Sequence, residues 1–310
     1  TALIEAGGEV TELPRSPVPL DDVAVRSRTG ETVTFAQHLT DTWCDAICVV
    51  KDGHIVDERY FNGMHERRLH LLMSVSKSVC GAALGVAVGR GQLAVDQLVT
   101  EISPEFAGTS LEGATVRHVI DMTAGTDFVE DYDEYLDPLA ASPLIEYEHQ
   151  AGYRPLGDRE PLGTLGHFRT YGTAYPHGAR FQYRSPLTNI AARLLEVVND
   201  LPYPEIVSRD LWRPIGMEHE ANIMLDCRRH PVVEGGMSCT LRDLARFGLT
   251  YLQDGAIGGR QVLPAAWVAD TFDGDDAALA AFEAQDGGNH DGWAMYRNAF
   301  WVIRQGRIAT

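Results

Sequence analysis

The chain has 310 residues and a mass of 34.1 kDa, with 45% hydrophobic and 23% charged residues, so it can bury a sizeable core, and one large or two intertwined domains are expected rather than disorder. A formal net charge of −18 and a pI near 4.9 exclude nucleic acid and anionic membrane surfaces as natural partners, because the field of the protein opposes theirs; small neutral or zwitterionic molecules fit better. Five scattered cysteines without Cys-x-x-Cys, no run of about 18 apolar residues and no basic segment leading into an apolar one predict reduced thiols in a cytoplasmic protein.

Residues 1–44 begin with Leu13-Pro14-Arg15-Ser16-Pro17-Val18-Pro19, an irregular arm, and continue into a short helix near Thr34–Trp43. Cys44 and Cys48 read as packing residues. Two β-prone runs, Ala46–Val50 and His54–Phe61, flank Lys51-Asp52-Gly53; an Asp-Gly turn between such runs predicts an antiparallel hairpin with Lys51 as a surface charge. Val79–Val88 is small and apolar on every side, the pattern of a helix at the centre of a protein, and Gly89-Arg90-Gly91 ends it. From about 92 to 230, helical stretches such as Thr115–Met122 and Leu187–Asn199 alternate with proline- and glycine-bearing loops at 124–182, long enough to carry function. Gly235-Gly236-Met237-Ser238 precedes an amphipathic helix from Thr240, and Tyr296–Ile303 reads as one strand.

Only two residues are lysines, Lys51 and Lys77, and Lys77 stands three positions after Ser74 in Leu72-Met73-Ser74-Val75-Ser76-Lys77-Ser78. A lysine, unlike an arginine, can lose its proton when buried and serve as a base. On a helix, residues three apart share a face, so Ser74 and Lys77 can present hydroxyl and amine to one point, with Ser74 at the first turn, where backbone N–H groups favour a developing oxyanion. Ser76 and Ser78 are turned off that face. The bland alternative is a capping serine beside a surface lysine. A second element, Phe181-Gln182-Tyr183-Arg184-Ser185-Pro186, supplies a phenol that could relay a proton, or simply a buried aromatic.

Ser-x-x-Lys followed about a hundred residues later by Tyr183-x-Ser185 resembles the first two motifs of class C β-lactamases, family VIII esterases and the wider serine β-lactamase and penicillin-binding-protein superfamily. Thr115–Gly125 and Gly235–Phe247 resemble segments of the same superfamily. Within it, Leu72–Ser78, Glu130-Asp131-Tyr132, Tyr135-Leu136-Asp137-Pro138 and Ala151-Gly152-Tyr153-Arg154 resemble the 6-aminohexanoate-dimer hydrolases and their carboxylesterase relatives. The resemblance implies an α/β (α+β) fold of β-lactamase/DD-peptidase type, with residues 1–76 and 232–310 forming an antiparallel sheet domain, 77–231 a mostly helical domain, and the site in the cleft between them. It also implies a serine hydrolase acting on a small amide or carboxyl ester through an acyl-enzyme. Ser74, Lys77, Tyr183 and Ser185 would be catalytic, Tyr135 or Tyr132 would contact the reacting amide, and Glu148 would receive a substrate ammonium group. A β-lactamase, a D-aminopeptidase and a penicillin-binding-type sensor that acylates without turnover are the alternatives.

The superfamily's third motif, Lys-Thr-Gly or His-x-Gly on a strand edging the cleft, is expected after Thr310, so a piece of a longer protein is the expectation. No cofactor is implied, and the eleven histidines show no metal-ligand spacing. The expected partner is a small ester or amide substrate, without nucleic acid or membrane, and assembly into a homodimer stays open.

Overall fold

The computed structural model describes residues 1–27, 29–132, 142–285 and 293–303, and the backbone of 308–309. Four strands, Ala2–Ile4, Ala221–Ile223, Met237–Cys239 and His70–Leu71, form an antiparallel sheet in that spatial order. The sheet joins the N-terminal strand to residues 221–239, with Ile4 opposite Ala221. Its last strand also leads to Ser74: Leu72 N–H bonds Met237 O at 2.9 Å, and the chain turns directly into the helix that follows Ser74. The predicted hairpin forms from Ala46–Lys51 and His54–Tyr60. Asp52 and Gly53 both take positive φ, 51° and 75°, as a two-residue primed turn requires, and Lys51 is exposed beside it. The short helix before it runs Phe35–Asp41, capped by Thr34.

The helix Val75–Gly89 is buried from Ser76 through Ala87, matching the apolar, small-residue pattern read for it. Its glycines set how close its neighbours come. A Cβ on Gly81 would lie 2.2 Å from Asn298 O, and one on Gly85 would lie 2.4 Å from the Trp267 ring. Two glycines cost helix stability, about 1 kcal/mol each, but they let C-terminal segments rest directly on the helix backbone. On another side Pro186–Asn199 packs against it, burying Leu187, Ile190, Ala191, Leu194 and Leu195. Between Val75 and Ile215 the described regular elements are all helical. No helix among the described residues is long and apolar enough to cross a membrane.

Two expectations change. The 124–182 region is not all loop, since Pro143–Ala151 and Gly163–Phe168 are helices, the first opened by Ser142 accepting from Ile145 N and closed at Gly152 with φ 86°. Tyr296–Ile303 is not one strand but a hairpin, Met295–Arg297 against Phe300–Ile303, turning at Asn298 and Ala299 with φ 51° and 66°. Asn-Ala lacks the glycine that marks such turns in a sequence. The turn is held instead by its surroundings. Asp121 accepts from Asn298 N at 2.9 Å and from Arg297 Nη1 at 3.0 Å, while Asn298 Nδ2 donates to Asp270 at 2.9 Å. The content is thus mixed helix with antiparallel sheet, as the fold class anticipates.

Candidate active site

Ser74 caps the start of the buried helix and is itself exposed, whereas Lys77, one turn on, is 1% exposed. Lys77 Nζ donates to Ser74 Oγ at 3.0 Å and also to the backbone carbonyl of Glu234, and it lies 5.1 Å from the centroid of the Tyr183 ring. The hydroxyl is therefore open to a ligand while the amine is sealed behind it. Met73, just before Ser74, is 62% exposed and has φ 48°, a left-handed conformation that costs a non-glycine residue on the order of 1 kcal/mol. Ser76 and Ser78 point elsewhere: Ser76 Oγ accepts from Met237 N at 3.2 Å and Ser78 Oγ donates to Ala299 O at 2.9 Å.

The helix start offers fewer free donors than expected. The N–H groups of Val75, Ser76 and Lys77 bond the carbonyls of Leu72, Met73 and Ser74 in tight turns. Among the described residues the Ser74 N–H makes no backbone hydrogen bond.

Tyr183 is half-buried. Trp301, from the C-terminal hairpin, stacks on its ring at 5.5 Å and 25°, and Tyr296 meets it edge-on at 5.9 Å. The contact with Lys77 runs through the ring; among the described residues no hydrogen bond joins the Tyr183 hydroxyl to Ser74 or Lys77. Ser185, the third residue of the motif, faces Glu130, donating from both Oγ, at 2.7 Å, and N. Tyr132 donates its hydroxyl to the same carboxylate. Burial first and the Glu130 charge second push the Tyr132 phenol well above its ordinary pKa. Arg184, 1% exposed, donates to Phe128 O at 2.6 Å and Ala124 O at 3.0 Å, tying the 124–132 segment to the motif.

Behind Lys77 lies a polar cluster that sequence reasoning missed. Glu234 is 8% exposed; its Oε1 accepts from Tyr147 at 2.9 Å and from Tyr153 at 3.2 Å, and its Oε2 has no hydrogen-bond partner among the described residues. Asn189 donates to the Tyr147 hydroxyl at 2.8 Å and accepts from Val233 N at 2.9 Å, which fixes the turn at 233–235 whose Glu234 carbonyl receives Lys77. Burial raises the Glu234 carboxyl above its ordinary pKa against the opposing pull of its hydrogen bonds and of the Lys77 charge, and burial likewise raises the Tyr147 phenol. Only the Gly235-Gly236 dipeptide beside it hinted that this segment approaches other backbone closely.

Glu148 sits in the helix Pro143–Ala151 as an ion pair with Arg154, its side chain 16% exposed. Tyr135 lies outside the described residues.

The pattern of the beta-lactamase family matches residues 34–310. A 6-aminohexanoate-dimer hydrolase of Paenarthrobacter ureafaciens is 36% identical over 238 residues, covering 77% of this chain and 59% of the relative, so the chain spans about three fifths of the length of the curated relative it matches. Among solved structures, a candidate 6-aminohexanoate-dimer hydrolase of Bacillus anthracis superposes with a TM-score of 0.85 at 24% identity, covering 98% of this chain and 77% of that one. EstCE1, a hydrolase with promiscuous acyltransferase activity, superposes with a TM-score of 0.61 at 17% identity, covering 84% and 79%. At these identities the two structures establish the fold, which is of β-lactamase type.

Proposed function

This chain belongs to the beta-lactamase family, and on that premise we propose that it is a serine hydrolase that cleaves a small amide or carboxyl ester through an acyl-enzyme, with chemistry like that of the 6-aminohexanoate-dimer hydrolase it is similar to. The observation that carries the reading is the 3.0 Å contact between an exposed Ser74 hydroxyl and a sealed Lys77 amine. With the amine neutral, the same contact passes the Ser74 proton to Nζ as Oγ attacks the carbonyl carbon. The Glu234 carbonyl holds Nζ in place and stabilises the ammonium that results. Ser74 N–H, which makes no backbone hydrogen bond, would meet the developing oxyanion. Tyr183, packed between Trp301, Tyr296 and Lys77, would return the proton to the leaving group. Its hydroxyl must close on the reacting centre when substrate binds, as catalytic hydrogen bonds often do. Water then attacks the ester on Ser74 Oγ and restores the serine. On this reading residues 77–231 and the paired ends 1–76 and 232–310 form the two walls of the site.

Ser185 and Tyr132 line the same side as Tyr183 and would orient the substrate. Ser74→Ala is the test: turnover of p-nitrophenyl acetate and labelling by a fluorophosphonate probe should both vanish, and a variant that keeps either removes the mechanism. Comparing that ester with nitrocefin and the 6-aminohexanoate dimer on one preparation sorts the esterase, β-lactamase and amidase readings, while a burst of product without steady turnover would select a sensor.

A further inference from the structure

The segment that carries Tyr183 rests, through one turn, on two histidines. Gln182 N donates to Met122 O at 3.1 Å, Arg184 N donates to Met122 Sδ at 3.3 Å, and Arg184 Nη1 donates to Ala124 O at 3.0 Å, so both neighbours of Tyr183 hang on the turn at 122–125. That turn is held in place by His118, whose carbonyl accepts from Thr123 N and Ala124 N, and by His177, whose Nδ1 accepts from Gly125 N at 3.0 Å. The two imidazoles stack at 5.8 Å and 27°. His118 Nδ1 accepts from Thr115 N at 3.1 Å, and His177 Nε2 donates to the Glu112 carbonyl at 3.0 Å.

A backbone N–H can only donate, so each Nδ1 is the bare nitrogen of a neutral ring. A proton added there sets donor against donor and breaks the bond, and two protonated rings at this spacing repel. We propose that the His118–His177 pair is an acid-sensitive latch: when His177 takes a proton from solvent at Nδ1 it releases Gly125, and the loosened 122–125 turn lets Tyr183 leave its place beside Lys77. The effect on turnover rests on the hydrolase reading; the loosening does not. His177 is partly exposed, so solvent reaches it. Burial first and His177 second hold His118 below the ordinary histidine range, so the stability contributed by its neutral ring is complete above about pH 6.5 and is lost as pH falls from there through its folded value. The charged groups on the elements packed around the pair have other partners. Glu112 accepts from Gly108 N, Arg117 pairs with Asp270, Asp121 holds Arg297, Arg193 pairs with Glu105, and Arg180 lies over the Tyr175 ring.

The experiment follows backbone hydrogen exchange, corrected for intrinsic rates, and kcat for p-nitrophenyl acetate between about pH 7.5 and about pH 5.5 on wild type, His177→Asn and His177→Ala. Asparagine can keep an acceptor for Gly125 N and does not titrate; alanine offers none. On acidification wild type should lose roughly tenfold protection at 122–126 while Val75–Gly89 stays protected. Its kcat should fall about three- to tenfold further than that of His177→Asn and recover fully on return to neutral pH. His177→Asn should stay protected throughout, and His177→Ala should be open at both ends of the range. Equal pH responses in wild type and His177→Asn overturn the latch. So does protection at 122–126 that is lost only together with that of Val75–Gly89, a comparison that needs wild type alone should the variants fail to fold. The expected exchange pattern in a protein without esterase turnover at neutral pH upholds the latch and sinks the hydrolase reading instead.

Discussion

The two sides of the site are built in different ways. Ser74 and Lys77 sit three residues apart on one buried helix, so their 3.0 Å contact is a local property of helix geometry. The surroundings, Glu130 with Tyr132 and Ser185, and Glu234 with Tyr147, Tyr153 and Asn189 behind Lys77, are assembled largely from residues 42 to 87 positions apart. The local pair needs only that its helix form and be buried. The distant one needs several loops to be placed at once, and Arg184, the Asp121–Arg297 pair and the stack on Trp301 are what place them. The comparison separates chemistry from orientation: damage to the first side should remove reaction, and damage to the second should change what reacts and at which pH.

Lys77→Met gives the largest expected effect of this kind. Methionine is close to lysine in size and can occupy the same buried position beside Tyr183, and the thermal midpoint reports separately whether the variant is folded. The base is gone. We expect kcat/KM for p-nitrophenyl acetate to fall about 10²- to 10⁴-fold at neutral pH, with fluorophosphonate labelling slowed to a similar degree. An unchanged rate would show that another group takes the Ser74 proton.

That asymmetry also governs what the sequence revealed. Ser-x-x-Lys, the Asp52-Gly53 hairpin and the all-round apolar helix are short-range patterns, and each appears where it was read. The turn at Asn298-Ala299 was hidden because its positive φ is imposed by Asp121 and Asp270 from elsewhere in the chain rather than by a glycine. Glu234 was hidden for a related reason: nothing around it in the sequence shows that two tyrosines and an asparagine from two helices and a loop will enclose it. The helix start looked like a cluster of free N–H groups, yet the tight turns at 72–77 use three of them internally.

Glu234 sharpens the comparison through pH. Its folded-state pKa is raised by burial, so the folded protein holds this proton more tightly than the unfolded chain does. The favourable contribution is fully present below the ordinary glutamate value of 4.5 and is lost as pH rises from there through the folded pKa. Glu234→Gln keeps an acceptor for Tyr147 and Tyr153 and removes the titration. The urea midpoint of the variant should therefore gain on that of the wild type as pH is raised from about 4 to about 8, and a difference that stays constant across that range would mean that Glu234 does not titrate with folding.

The smallest effect is expected at Glu148, where sequence reading and structure pull apart. A carboxylate meant for a substrate ammonium would be expected to wait with its charge unmet, yet Glu148 is already paired with Arg154. Both side chains are partly exposed, at 16% and 31%, and pairs of that kind are worth little, about 0.2–1 kcal/mol, so a substrate amine could compete for the carboxylate without large cost. If it does, Glu148→Gln should raise KM for the 6-aminohexanoate dimer by roughly two- to fivefold and leave kcat and the KM for p-nitrophenyl acetate alone. A KM that does not move, together with a thermal midpoint lowered equally by Glu148→Gln and Arg154→Ala, would assign the pair to holding the end of its helix, and the recognition of the amine would have to lie on another side of the site.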